Sequence, residues 1–132
     1  MSAPRDAMHI LLVEPHLLLA RPLKQGLEEE GFSVVLARDG AEADLLARGT
    51  TFDAIVLDPD LPGEDGLRRL SLWRRGRLRT PVLVLTARAG AAERARALEQ
   101  GADDCLTMPC ELVRVFDHLR ALIRPAAATV LG

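Results

Sequence analysis

The sequence predicts a single α/β domain built on one five-stranded parallel sheet. Two observations carry this: five short apolar runs recur along the 132 residues, and each is followed by an amphipathic stretch at helical spacing. A third is that Gly31, Gly49, Gly76 and Gly101 each stand just past such a stretch, where a helix C-terminus favours a residue tolerating positive φ. The apolar runs are continuous rather than alternating, which suits strands covered on both faces. Short strand–helix connections then imply right-handed crossovers.

Taken in order, strands are predicted at Met8–Val13, Ser33–Ala37, Ala54–Leu57, Val82–Leu85 and Cys105–Thr107. Helices fall at Leu17–Glu30, Ala41–Arg48, Asp65–Arg75, Ala92–Gln100 and Glu111–Arg124. Pro22 breaks a local rule, because a proline inside a helix removes an N–H and clashes with the preceding turn at about 3 kcal/mol. Either that helix starts late, with Pro22 in its first turn, or it is kinked there. Residues 1–7 are expected to be a disordered N-terminus, 8–124 the folded domain, and 125–132 (PAAATVLG) a tail or the start of a linker.

Net charge is −2 with acids and bases interspersed, which argues against a nucleic-acid surface. The arginines Arg68, Arg69, Arg74, Arg75, Arg77 and Arg79 do not change this: on a helix, Arg68, Arg69 and Arg75 spread over the solvent side, opposite Leu67, Leu70 and Trp73. Tyrosine is absent and aromatics make up 3%, so base-stacking platforms are not expected either. No stretch approaches the roughly 20 apolar residues of a membrane helix, and the start lacks the marks of a signal peptide. A cytoplasmic location is expected. Cys105 and Cys110 match no zinc spacing and read as small apolar fillers.

In open α/β sheets, ligands sit beyond the carboxyl ends of the strands. Glu14 follows the first strand, Asp58 follows the third, Thr86 ends the fourth and Met108 the fifth. Two carboxylates and a hydroxyl converging there suggest metal-assisted phosphoryl chemistry. The stretches HILLVEP, EEEGFSVVLARDGAEA, FDAIVLDPDLPGEDG, TPVLVLTA and ALEQGADDCLTMP together resemble the response-regulator receiver family, over about residues 9–124. The resemblance is nearest to the subclass whose members carry a winged-helix DNA-binding domain. It implies a flavodoxin-like (CheY-like) doubly wound sheet of order 2-1-3-4-5 with five helices, a role in transcription regulation through two-component signalling, and phosphoryl transfer from a histidine kinase to one aspartate.

Carried over residue by residue, the resemblance makes Asp58 the phosphoacceptor equivalent, Thr86 the switch hydroxyl and Glu14 the first of the family's acidic pair. Pro15 then stands where the direct magnesium ligand belongs, and Met108, before Pro109, stands where the phosphoryl-binding lysine belongs. Cys105 replaces the aromatic switch. Losing a direct ligand weakens metal binding by at least roughly 10–100-fold, and losing a charge-assisted lysine contact removes roughly 1.5–3 kcal/mol more. The remaining magnesium candidates are Glu14, Asp58 and Asp60, a set too poor for a metal or any other cofactor to be expected. The leading expectation is therefore an atypical receiver, not an enzyme, that regulates by protein–protein interaction independent of phosphorylation.

Its partner, another protein or a second copy, is expected on the face formed by helix four, strand five and helix five. The resemblance puts Asp103 and Asp104 on that face, with Arg114 at a position usually acidic and His118 at one usually basic. His118 is also placed to titrate against Asp104, although simple surface exposure is the plainer reading. A histidine kinase remains a possible partner; a membrane and direct nucleic-acid contact are not expected. The alternative is a working phosphoacceptor in which Asp60 substitutes as metal ligand, against which stands the plainer reading of Asp60 as a solvated loop acid. His16 reads as an exposed helix-start residue rather than a ligand. A flavodoxin-like enzyme or cofactor carrier is disfavoured, because EPHLLLARP has no glycine to cradle phosphate and no nucleophile has a base nearby.

Overall fold

The computed structural model describes residues 7–123. The tail, Arg124 and all of the expected N-terminal segment but Ala7 lie outside them. The first apolar run forms β1 (His9–Val13), whose side chains divide between two cores. Leu11 and Val13 enter one hydrophobic cluster with Ile55, Leu57 and Trp73, while Ile10 and Leu12 enter the other with Val56, Leu83 and Val115. Burial on both faces is why the run is continuous rather than alternating.

Helix α1 (Leu17–Glu29), β2 (Ser33–Ala37), α2 (Gly40–Gly49), β3 (Ala54–Leu57), α3 (Gly66–Arg75), β4 (Val82–Thr86), α4 (Ala91–Glu99), β5 (Asp104–Thr107) and α5 (Leu112–Ile123) complete the alternation. The five strands form one parallel sheet of order 2-1-3-4-5, as the resemblance implies. Predicted ends and observed ends differ by a residue or so.

Three local features depart from expectation. Helix α1 does not start late: it begins at Leu17 and carries Pro22 inside. The carbonyl that loses its helical donor there belongs to Leu18, which is 92% exposed and so has water within reach. Second, of the four helix-end glycines only Gly31 and Gly101 have positive φ; Gly49 is still helical, and beyond α3 the left-handed residue is Arg77 at φ 68°, next to Gly76. Third, Asp60–Leu61 and Glu64–Asp65 form a small antiparallel ribbon turned by Pro62 and Gly63, the latter at φ 71°. Two-residue strands are too short to leave a periodic signal. The ribbon feeds α3, where the Gly66 N–H donates to the Pro59 carbonyl at 2.8 Å. A Cβ at Gly66 would stand 2.8 Å from the Pro59 Cα, so this glycine lets α3 start directly against the loop that carries Asp58.

Candidate functional site

The site is set by the register of β1 and β3. Val13 pairs with Leu57, so Glu14 and Asp58 fall on the next rung at the carboxyl edge of the sheet. The ladder continues past the strands, with the Glu14 N–H donating to the Ala37 carbonyl at 2.9 Å and the Asp58 N–H to the Val13 carbonyl at 3.0 Å. Both side chains therefore leave the sheet into the same corner. The Glu14 side chain is 6% exposed and that of Asp58 13%.

Between them and solvent stands His16, at the N-cap of α1. Its Nδ1 lies 3.0 Å from Glu14 Oε2 and 3.6 Å from Asp58 Oδ2, and its backbone N–H also donates to Glu14 Oε2 at 3.0 Å. The plainer expectation of a free helix-start histidine is therefore only half right: the ring is 60% exposed, yet it is engaged with both carboxyls. Sequence held one clue, the spacing Glu-Pro-His, in which proline turns the chain tightly enough for the third residue to fold back on the first.

Burial pushes the Glu14 carboxyl up to about 7; the hydrogen bond from the His16 backbone opposes this, while the Asp58 carboxyl beside it adds to the rise. The bond to Glu14 raises the His16 imidazole above its ordinary value. The two groups lie within hydrogen-bond distance, so the protonation of one bears on that of the other.

The other pocket positions are spread around this centre. Asp60 donates its backbone N–H to Asp58 Oδ1 at 2.8 Å, but its own carboxylate is 64% exposed and faces Arg88 at 3.7 Å. Among the described residues, the group whose ligand atoms come together is Glu14, His16 and Asp58, without Asp60. Thr86 is buried, and its hydroxyl accepts from the Arg88 N–H at 3.1 Å and donates to Glu93 Oε2 at 3.3 Å, so it closes the loop after β4. Glu93 carried no sequence signal, because its approach depends on where α4 begins. Arg88, Arg96 and Glu93 line a cavity of about 350 Å³ with Asp58, Asp60 and Asp65.

Pro15 supplies no side-chain donor. Met108 lines a largely apolar cavity of about 200 Å³ with Leu19, Pro22, Leu23, Leu85 and Leu112, and Glu14 and Asp58 line the same cavity. The peptide between Met108 and Pro109 is cis. Cys105 is buried, and burial pushes its thiol up, away from reactive thiolate character.

The residues of the expected interaction face are partly spoken for internally. Asp103 accepts from Arg74 Nη2 at 3.0 Å and from the Val82 N–H at 2.8 Å, tying β5 to α3 and β4. Asp104 is gripped by His118, by Arg94 at 3.1 Å and by the Cys105 N–H at 2.8 Å. Burial alone would raise its carboxyl, but these three contacts outweigh it and hold Asp104 below the ordinary carboxylate range. His118 is thus drawn inward. Arg114, with Arg94 and His118, lines an open groove of about 480 Å³ floored by Cys105 and Leu106.

A family model described as "Response regulator receiver domain" matches residues 10–120. The chain is 44% identical over 119 residues to the transcriptional regulatory protein TcrA of Mycobacterium tuberculosis, covering 90% of this chain and 47% of that protein. It is 42% identical to the transcriptional regulatory protein QseB of Escherichia coli O157:H7, covering 89% and 53% respectively. The chain thus spans about half the length of the curated relatives it matches. Among solved structures, a Francisella response regulator receiver domain superposes with a TM-score of 0.87 at 28% identity, covering 90% of this chain and 98% of that one. The receiver domain of a sensor histidine kinase from Pseudomonas aeruginosa PAO1, solved with a magnesium ion in its active site cleft, gives 0.81 at 31% identity, covering 89% and 98%.

Proposed function

We propose that this chain, which belongs to the response regulator receiver domain family, signals by protein–protein contact without phosphorylation of Asp58. As a receiver domain of two-component signalling it has relatives that are transcriptional regulators. The observation that carries the reading is the seating of the His16 ring against both Glu14 and Asp58, 3.0 and 3.6 Å away.

That seating bears on magnesium, the ion the family implies. Mg²⁺ takes oxygen ligands in near-octahedral geometry. Here Pro15 offers no oxygen from its side chain, an imidazole stands against the two carboxyls that remain, and Asp60 faces Arg88 instead. The residues present do not fit it. No lysine replaces the lost positive charge either, because position 108 is methionine. A phosphorylated Asp58 would add negative charge beside the buried Glu14; the cations at that corner are the exposed His16 ring and Arg88 and Arg96, and the two arginines already face Asp60, Asp65 and Glu93. Phosphorylation is disfavoured on charge grounds, and the imidazole serves as the acids' built-in counter-ion instead.

Regulation then comes from which partner binds, since differential affinity for two conformations is enough to shift a population. The groove between α4, β5 and α5, with Arg94, Arg114 and His118 on its walls, supports a protein partner or a second copy there. Catalysis by the chain and direct nucleic-acid contact form no part of this reading. Titration with Mg²⁺ and beryllofluoride, an acyl-phosphate mimic, tests it by NMR. Amide shifts at Asp58, Thr86 and along α4 are expected to stay unchanged; saturable shifts centred on Asp58 would overturn the reading.

A further inference from the structure

We propose that Glu14, His16 and Asp58 form a binding site for a divalent transition ion of the zinc class. One ligand atom from each of the three lies within 4.8 Å of the other two. A tetrahedral ion with bonds of about 2.0–2.1 Å holds neighbouring ligand atoms about 3.3 Å apart. The separations from His16 Nδ1, 3.0 Å to Glu14 Oε2 and 3.6 Å to Asp58 Oδ2, bracket that value. Small side-chain movements would seat an ion among them. The substitution that removed an oxygen ligand also created this arrangement: Pro15, with its fixed φ, holds His16 back over Glu14.

The surroundings suit such an ion. Glu14 and Asp58 are anchored from beneath, Glu14 by the His16 N–H at 3.0 Å and Asp58 Oδ1 by the Asp60 N–H at 2.8 Å, which leaves Asp58 Oδ2 on the side of the ring. Outer hydrogen bonds of this kind orient metal ligands. Two carboxylates balance a divalent charge, and the open side beyond His16 leaves a fourth position for water. An imidazole in the donor set favours zinc, nickel or copper over magnesium, which keeps to oxygen. The family's hard-cation corner has become a mixed nitrogen–oxygen site.

The 132-residue chain, free of any affinity tag, is titrated with Zn²⁺ against a chromophoric chelator, with Mg²⁺ in parallel. One Zn²⁺ per chain is expected, bound roughly 100-fold or more tighter than Mg²⁺. His16→Gln should weaken Zn²⁺ binding roughly 10- to 100-fold. That variant is expected to fold, because the ring is 60% exposed, and its thermal unfolding checks this. Cys110→Ser and His118→Gln should leave the affinity unchanged. Equal affinity in His16→Gln, loss of binding in Cys110→Ser or His118→Gln, or Mg²⁺ binding as tight as Zn²⁺ would each overturn the proposal.

Discussion

The double variant Pro15→Asp, Met108→Lys is expected to take phosphate from a small-molecule phosphodonor in magnesium roughly 10²- to 10⁴-fold faster than the unaltered chain. The factor combines two losses the sequence displays. A restored carboxylate at position 15 would stand next to the buried Glu14 and across from Asp58, returning an oxygen ligand worth roughly 10–100-fold in metal affinity. A lysine at position 108, at the carboxyl end of β5, would replace a thioether that lines apolar surface with Leu19, Leu23 and Leu112. Its charge-assisted contact is worth roughly 1.5–3 kcal/mol, another factor of about ten to a hundred. Each single variant is expected to recover only part of the rate. Intact-mass measurement over time reads the gain, and Asp58→Asn on the double variant should abolish it. Fully restored pocket residues with no gain in labelling would mean that His16, not the missing groups, blocks Asp58.

Glu14→Gln is expected to stabilise the fold by about 2 kcal/mol at pH 8 and by little near pH 4.5, with chelator present to remove metal. The folded chain keeps the Glu14 proton up to about pH 7, whereas the ordinary carboxyl releases it near 4.5. Between those values the native state binds more protons than the unfolded one, so stability declines as pH rises. Above about 7 the decline is complete. The raised His16 imidazole acts in the same direction, its contribution present at low pH and lost as pH climbs. A shift from 4.5 to about 7 corresponds to roughly 3 kcal/mol at full strength, and screening by solvent at the pocket mouth reduces it. Glutamine keeps an oxygen for the His16 N–H and carries no charge to bury. Urea unfolding of both proteins at the two pH values measures the difference; equal stability at pH 8 would show that Glu14 is ionised at no cost.

The elements that position the site were legible because their signals are periodic. Continuous apolar runs marked the five strands, and Glu14 and Asp58 were found simply as the first polar residues beyond two of them. Thr86 was found in the same way. What escaped notice depends on loop conformation, which leaves no period. The fold-back of His16 turns on the backbone around Pro15, and the approach of Glu93 to Thr86 on the starting point of α4. The glycine rule failed at Gly76 for a related reason: Arg74 already bonds the carbonyls of Leu78 and Thr80 at 2.8 and 2.9 Å, and the left-handed residue in the turn so gathered is Arg77. At Asp103 and Asp104, pattern alone could not tell a docking face from internal ties to Arg74 and His118.

Exposure of the unaltered chain to acetyl phosphate in millimolar magnesium, followed by intact-mass measurement, tests most directly whether this receiver works without phosphate. The charge balance around Asp58 predicts no mass gain above that seen with Asp58→Asn. Ready addition of one phosphoryl group, absent in Asp58→Asn, would contradict it.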